Sequence, residues 1–236
     1  MSAVFESPPA MAPPPTARAR YVAIISDGSR RWARARGLSL SAGQEAAADT
    51  VKARVLDAVE LELKELTVYS FSTENWARDS GEVNGLIAML ARRISGETHE
   101  LHELGVRVRF IGRREGAPSE LTDAMRAAEE MTAQNTGMTL FIAFNYGGRA
   151  EILDAIKRFQ GSTEEEFRAC LYAPDMHDPD LIIRTSGERR LSNYLLWQGA
   201  YSELVFRDEL WPDFTRAGLE ESLAEFASRG RRFGAR

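Results

Sequence analysis

Short apolar runs alternate with longer amphipathic stretches along most of the chain. Residues 21–25 form a continuous apolar run that is closed by Ser-Asp-Gly, the pattern of a strand buried on both faces. The run at 106–111 alternates with period two, which is typical of a strand with one polar face near a sheet edge. Further strands are predicted at 66–71, 138–144, 181–183 and 203–206.

Helices are predicted between these strands. The segment 41–63 has valines at 51, 55 and 59, the four-residue spacing of one helix face. Gly105 follows the stretch 83–104 at the position where glycine commonly ends a helix. Further helices are predicted at 118–134, 151–159, 163–172, 192–198 and 219–226. Strands that alternate with helices predict an α/β fold with a mainly parallel central sheet flanked by helices.

The first 20 residues differ from the rest in composition. They hold five of the nine prolines, and a stretch rich in proline and alanine cannot build a packed element. We therefore expect a disordered tail over 1–20 and a single domain over 21–236. The tail lacks the basic start and apolar core of a secretory signal, and no apolar run approaches the ~20 residues of a membrane helix.

Composition narrows the class of protein. The 236 residues are 44% apolar and 28% charged, as in ordinary globular proteins. A net charge of −5 argues against general nucleic-acid binding but leaves room for a local anion site. Cys170 is the single cysteine, so an internal disulfide and a thiolate metal cluster are excluded. This suits a reducing compartment, and a cytoplasmic location is predicted.

The loop after the first strand carries the first candidate chemistry. In a parallel sheet, ligands bind beyond the carboxyl ends of the strands. Here Asp27-Gly28-Ser29 precedes Arg30, Arg31 and Trp32. Glycine lets backbone amides approach an anion, and the arginines favour phosphate. An aspartate in that company suggests a metal ion or a proton transfer, although Asp27 also fits a plain helix N-cap.

Three later loops carry a similar mixture of residues. The loop 72–78 is dense in polar groups, which also fits a capped helix start. The loop 145–149 is a glycine turn in which Arg149 fits a structural ion pair as well as ligand binding. In the loop 184–193, Arg184 and Arg190 with the hydroxyl of Ser192 are suited to a diphosphate, whereas Arg189 is expected to face solvent.

Cations concentrated at one sheet edge of an acidic protein predict a polyphosphate ligand. Asp27 and Glu203 would coexist with that ligand through a divalent cation, and oxygen ligands with phosphate suit Mg²⁺. No P-loop or G-x-G-x-x-G motif occurs, and no D-D-x-x-D box is present. His99 and His102 lack a third ligand at metal-binding spacing.

Five collinear motifs between residues 21 and 214 resemble those of the cis-prenyltransferase family, to which undecaprenyl diphosphate synthase belongs. The motifs are VAIISDGSRRWA, YSFSTENW, FNYGGRAEI, DPDLIIRTSGERRLSNYLLWQGAYSEL and LWPDF. The resemblance implies an α/β catalytic domain with a hydrophobic tunnel, working as a homodimer. It also implies an Mg²⁺-dependent reaction that joins isopentenyl diphosphate to an allylic diphosphate and forms a Z double bond. Membrane contact is expected only through the lipid product.

The resemblance also implies a role for each matching residue. Asp27 corresponds to the catalytic aspartate associated with Mg²⁺, Asn75 to the proton acceptor and Glu203 to the second metal ligand. The allylic diphosphate loop is matched by Gly28, Ser29, Arg30, Arg31 and Trp32. The mobile substrate loop is matched by Ser72, Thr73, Glu74, Trp76 and Arg78. The isopentenyl diphosphate site is matched by Arg184, Arg190, Leu191 and Ser192. The tail 231–234 resembles a terminal signature that reaches the partner subunit's site in the family.

The departures from the family pattern lie mostly on the allylic side. Ser29 stands where the family usually has asparagine, Gln44 where it has a substrate-binding histidine, and Leu40 where it has an arginine. These changes leave open an irregular, lavandulyl-type coupling of prenyl diphosphates and, less well supported, a partner subunit without activity. Product length also stays open, because small Ser70 favours a long tunnel whereas Arg92 and Arg93 on the tunnel helix argue against one.

Overall fold

The computed structural model describes residues 18–229. A six-stranded sheet runs through its centre, and every neighbouring pair of strands is parallel. The strands are β1 (Tyr21–Ile25), β2 (Glu65–Ser72), β3 (Arg107–Ile111), β4 (Thr139–Tyr146), β5 (Leu181–Arg184) and β6 (Glu203–Phe206). All six lie where the sequence pattern predicts a strand, which confirms the single α/β domain with a parallel sheet.

Helices cover the sheet on both faces. They are α1 (Ser29–Ala35), α2 (Leu40–Glu60), α3 (Ser80–Glu103), α4 (Ser119–Thr132), α5 (Gly148–Ile156), α6 (Glu164–Arg168) and α7 (Arg216–Ser228). Two 3₁₀ helices span Thr73–Ala77 and Trp211–Asp213. Along β1, Val22 and Ile24 face a core shared with α2 and α7, and Ala23 and Ile25 face the opposite core. The period-two side-chain alternation of a strand thus divides the core into two layers.

Sheet order places the candidate loops side by side. The order is β3-β4-β2-β1-β5-β6, so the chain leaves β1 toward β2 and later returns to its other side as β5. The carboxyl ends of β1, β2, β4 and β5 therefore meet around the point where the direction reverses, which is where such sheets bind ligands. β3 lies at an edge, as its alternating pattern predicts.

Two glycines allow the chain to pack closely beside this edge. Gly28 has φ of +116°, and a Cβ there would lie 2.9 Å from Leu210 Cδ2. Gly43 lies where α2 crosses α1, and a Cβ there would lie 2.8 Å from both Ala33 Cβ and Ser29 O. Substituting either glycine would push α1 away from its neighbours.

Some predicted elements are wrong or have different bounds. The predicted helix at 192–198 is a series of turns, in which Ser192, Asn193 and Leu195 have positive φ. The helix predicted at 163–172 is only the short α6.

The predicted tail falls mainly outside the described residues, which begin at residue 18. Arg18 Nη1 donates to Glu62 Oε2 at 3.2 Å, and Ala19 is buried in the core. The tail signature at 231–234 also lies outside the described residues.

Candidate active site

Asp27 and Arg184 form an ion pair at the carboxyl ends of β1 and β5. Arg184 Nη2 donates to Asp27 Oδ2 at 2.8 Å, and its Nη1 donates to Ser192 Oγ at 2.7 Å and to the carbonyl of Arg190. The Arg184 side chain is 4% exposed, whereas that of Asp27 is 33% exposed. A buried guanidinium thus holds a partly exposed carboxylate, and this ion pair defines the centre of the site.

Thr185 fixes the backbone of this centre. The Thr185 hydroxyl donates to Asp27 O at 2.7 Å, and its oxygen accepts a hydrogen bond from Asp27 N at 3.0 Å. Arg184 Nε is buried and has no hydrogen-bond partner within the described part of the chain. A buried donor without a partner costs free energy, so this atom is a candidate contact for an anionic ligand.

Two more arginines flank this centre. Arg31 donates to Ser186 O at 3.1 Å, and its guanidinium lies 3.8 Å from Asp27 Oδ1 and 3.7 Å from Glu188 Oε1. Arg190 is exposed and pairs with Glu188. The loops after β1 and β5 therefore present three guanidinium groups, two of them toward solvent, which suits recognition of a diphosphate.

The loop after β2 is held by a side chain from the end of β4 and by one from the loop after β5. The Ser72 N–H donates to Asn75 Oδ1 at 3.1 Å, Trp76 Nε1 donates to Asn145 Oδ1 at 2.8 Å, and Glu74 Oε1 accepts from Asn193 Nδ2 at 2.9 Å. Burial raises the pKa of Glu74, but the hydrogen bonds from Asn193 and its own loop outweigh this and lower it overall. Glu74 therefore stays ionised and keeps this contact.

Glu82 joins α1 to the start of α3. Its carboxyl group is nearly buried and lies 3.1 Å from both Arg30 Nη2 and Arg78 Nη1. The pairing of Arg30 and Arg78 with one carboxylate was not predicted from the sequence. Because Glu82 pairs with both arginines, the predicted allylic loop and the predicted substrate loop lie together at one wall of the site.

These groups surround a cavity of about 440 Å³. Its wall combines these polar groups with apolar side chains, among them Val51, Leu86, Met89 and Leu90. The predicted site residues that line it are Asp27, Gly28, Ser29, Arg30, Arg31, Gln44, Ser72, Asn75, Arg78, Arg184 and Ser192. Leu40, the departure from the family arginine, also lies in its wall.

Several predicted site residues lie elsewhere. Trp32 Nε1 donates to Asp213 Oδ1 at 2.8 Å, and the Arg36 guanidinium lies 4.5 Å from the centroid of its ring, so Trp32 is committed to the 211–213 segment. Leu191 packs against the apolar core beneath the sheet edge. The cavity is not lined by Thr73, Glu74, Trp76 or Arg190.

Some residues of the cavity wall carry no signal in the predicted motif roles. Tyr69 lines it and donates to Tyr146 O at 3.0 Å, and burial raises its pKa, so the phenol stays protonated. Glu82 was missed as well, although its four-residue spacing from Arg78 is the spacing of a helical ion pair. Thr185 could have been found because it lies inside the quoted Arg-Thr-Ser-Gly motif.

Glu203 does not join the site. It is the first residue of β6, level with Leu181 and hence with Val22, and its carboxylate pairs with Arg229 at 2.9 Å. At about 3.3 Å per residue, Asp27 lies roughly 15 Å further along the strand direction. The predicted pairing of Asp27 with Glu203 around one metal ion is therefore not formed by a single chain, because the two residues lie at opposite ends of the parallel sheet.

The remaining donor set still fits Mg²⁺ with a diphosphate. No group of three His, Cys, Asp or Glu side chains within residues 18–229 could hold a metal ion. Mg²⁺ is commonly bound through one or two carboxylates together with substrate phosphates and water. Asp27 offers one such carboxylate in the wall of a cavity that arginines also line, which is sufficient for a metal ion that arrives with its substrate.

A second, smaller cavity adjoins the first. It has a volume of about 100 Å³ and lies between α2, α3 and the sheet. The two cavities share the lining residues Ala48, Val51, Ser70 and Leu90.

No helix among the described residues has the length and apolar character needed to cross a membrane.

Comparison with known proteins gives consistent results. The family model for undecaprenyl diphosphate synthase matches residues 25–234. The isoprenyl transferase of Thermotoga maritima is 48% identical over 224 residues, which cover 91% of this chain and 96% of the relative. Isoprenyl transferase 2 of Bradyrhizobium diazoefficiens is 47% identical, over 91% of this chain and 89% of the relative.

A solved structure gives the same result at the level of the fold. Lavandulyl diphosphate synthase from Lavandula x intermedia, in complex with dimethylallyl diphosphate, superposes with a TM-score of 0.89 at 32% identity. The match covers 92% of this chain and 98% of the synthase.

Proposed function

The chain belongs to the undecaprenyl diphosphate synthase family and is a prenyltransferase, and from this premise we propose the reaction that it catalyses. It condenses isopentenyl diphosphate with an allylic prenyl diphosphate and gives a Z-prenyl diphosphate. The observation that carries the proposal is the Asp27–Arg184 pair in the wall of a cavity that is lined both by polar groups and by apolar side chains. A diphosphate with a hydrocarbon chain has the same two-part character.

The first step breaks the allylic C–O bond, and the diphosphate leaves with the bonding electron pair. Arg30 and Arg31 lie beside the Gly28 turn, where they would hold this diphosphate and stabilise its developing charge. Mg²⁺ bound through Asp27 would add charge neutralisation on the same oxygens.

The second step forms the new carbon–carbon bond. Arg184, Arg190 and Ser192 would hold isopentenyl diphosphate, with Arg184 Nε as one further donor. The double bond of isopentenyl diphosphate supplies the electron pair, and loss of a proton from its C2 carbon forms the new double bond. Asn75 lines the cavity and is proposed as the proton acceptor, on the strength of the family resemblance. Holding both substrates side by side removes much of the entropic cost of the step.

The predicted homodimer and the cytoplasmic location remain proposals that rest on the resemblance. An inactive partner subunit has no support, since the relatives named above are transferases.

Irregular coupling of prenyl diphosphates is the second candidate. The structural likeness to lavandulyl diphosphate synthase favours it, as do Leu40 and Gln44 in the cavity wall, where the family has a cation and a histidine. Intact motifs in the 184–193 loop support the regular reaction instead.

Product chromatography separates the two candidates. The full chain is incubated with Mg²⁺ and isopentenyl diphosphate plus dimethylallyl, geranyl or farnesyl diphosphate in turn. Regular condensation predicts products that grow by five-carbon units and require isopentenyl diphosphate. A product from dimethylallyl diphosphate alone would favour irregular coupling, and no product from any pair would contradict both.

A further inference from the structure

The cavity between α2 and α3 is closed toward solvent by charged side chains. Its inner wall is apolar and includes Val55, Ile94, Leu101 and Leu140. Lys52, Arg93, Glu97 and Glu100 line it as well, and they lie on the facing sides of the two helices. An apolar cavity bordered by a row of charges needs an explanation, because charges beside an apolar space must be paired.

Arg93 is the centre of this row. Its Nη2 donates to Glu45 Oε2 at 2.8 Å and to Asp49 Oδ1 at 2.6 Å, and its Nη1 donates to Glu97 Oε1 at 3.0 Å. Its Nε also donates to Glu45 Oε2, at 3.1 Å. One guanidinium on α3 thus ties two carboxylates of α2 to one of its own helix, and its side chain is 24% exposed.

A second pair continues the row. Lys52 Nζ lies 2.6 Å from Glu100 Oε2. Residues 45, 49 and 52 share one face of α2, and 93, 97 and 100 share one face of α3, by helical spacing. We call these contacts the α2–α3 clasp. It runs along the solvent side of the cavity, whereas the apolar faces of both helices point to the sheet.

The clasp determines how far the two helices can separate. A single exposed ion pair has little effect on stability, but a guanidinium that engages three carboxylates fixes both their distance and their orientation. Without Arg93, Asp49 and Glu97 would lose the cation that they share with Glu45, only Arg92 would remain paired with Glu45, and the acids would repel one another. The aliphatic part of the Arg93 side chain, which lines the cavity, would also be lost. Both effects would enlarge the cavity.

We propose that Arg93 is a specificity-determining residue: the α2–α3 clasp closes the wall of the second cavity and limits the length of the prenyl chain that grows into it. This inference rests on the proposed function, because it assumes that the chain extends from the first cavity past Ser70 and Leu90 into the second.

The test compares Arg93→Ala with Arg92→Ala. Arg92 is the neighbouring residue on α3 and also pairs with Glu45, but it is 63% exposed and does not line the cavity, which makes it a matched control. Product chain length is measured by reversed-phase chromatography with saturating isopentenyl diphosphate and the allylic substrate that the wild type prefers. Arg93→Ala is expected to lengthen the main product by at least one five-carbon unit, and Arg92→Ala to leave it unchanged.

Two further variants cover the case in which Arg93→Ala fails to fold. Asp49→Asn removes one of the two α2 carboxylates that Arg93 engages, with little change of side-chain shape, and it should broaden the products toward longer chains. Arg93→Lys keeps the positive charge, so the length of its main product should be close to that of the wild type.

Each outcome bears on the inference. Unchanged or shorter products in Arg93→Ala, or in Asp49→Asn if the former does not fold, would overturn it, even if the rate or stability falls. An equal lengthening in Arg92→Ala would overturn it too, since surface charge alone would then explain the effect. The wild type in the same assay reports separately on the proposed function, because a wild type that makes no prenyl chain contradicts that function itself.

Discussion

Asp27 is held in place by an ion pair with Arg184, because a buried guanidinium requires an anionic partner. Arg184 ends a fully buried strand, and an unpaired guanidinium there would be strongly destabilising. The ion pair satisfies the arginine while leaving the other carboxylate oxygen of Asp27 toward the cavity. The site is therefore organised before substrate or metal arrives, which lowers the cost of stabilising charge in the reaction.

Replacing Asp27 by alanine tests this arrangement. Asp27→Ala should lower kcat by at least ~10²–10³-fold, because it removes the carboxylate that would hold the metal ion and orient Arg184. Steady-state kinetics are measured beside circular dichroism, which checks that the fold persists. Full activity in this variant, or in the wild type with excess EDTA, would rule out the proposed role.

Arg190 is the cleaner probe of the isopentenyl diphosphate site, since it is exposed and its removal leaves the core untouched. Arg190→Ala should cost about 1.5–3 kcal/mol of binding, the range for a hydrogen bond to a charged group, and so raise KM for isopentenyl diphosphate roughly tenfold or more. KM for the allylic substrate should change much less. Neighbouring Arg189, also exposed, supplies the control, and an equal effect of Arg189→Ala would argue against a specific contact.

At the level of elements, the strands were predictable and the loops only in part. Buried parallel strands give apolar runs such as 21–25, and the edge strand β3 gives a period-two alternation, so all six strands lie where one was predicted. The 192–198 segment has helical composition, but tertiary contacts such as Arg184 with Ser192 and Arg149 N–H with Asn193 hold it in turns. Trp32 follows the phosphate-binding pattern along the chain, yet its indole N–H donates to Asp213, 181 residues further on. Neither outcome can be predicted from residue spacing, because long-range partners decide both.

The start of α2 carries the departures that set this chain apart from the family pattern. Leu40 and Gln44 are one turn apart and line the same cavity. Leu40→Arg with Gln44→His would add a fixed cation and a proton carrier, so the double variant should bind the allylic diphosphate more tightly and condense it faster. Affinity for isopentenyl diphosphate should hardly change.

Allylic titration and product analysis of the double variant are run together. Loss of the native product, or a shift to another, would indicate a cavity rebuilt for a different substrate or coupling mode. No change in affinity, rate or product would mean that both departures are neutral.

Across the whole molecule, acid stability depends on a network that joins the β3 side of the sheet to α5. Hydrogen bonds from Arg113 at 2.7 and 3.0 Å, together with those from Lys157 and Tyr172, lower the pKa of Asp154 far below its usual range. A carboxyl group with a lowered pKa in the folded state stabilises it above the unfolded value of about 4, and this contribution is lost as the pH falls further.

Asp154→Asn should therefore lower the free energy of unfolding by roughly 1.5–3 kcal/mol at neutral pH, the range for hydrogen bonds to a charged group. The difference between variant and wild type should persist at pH 5 and shrink toward pH 3. Urea unfolding at these three pH values checks the sign, and a difference that grows on acidification would contradict the assignment.

The overall reaction is tested most directly by the structure of the first product. Wild-type protein is given Mg²⁺, isopentenyl diphosphate and geranyl diphosphate, and the fifteen-carbon product is examined by NMR. If the diphosphates lie side by side between the β1, β2 and β5 loops as proposed, the product is linear and its newly formed double bond is Z. A new double bond in the E configuration, or a branched skeleton, would contradict the account.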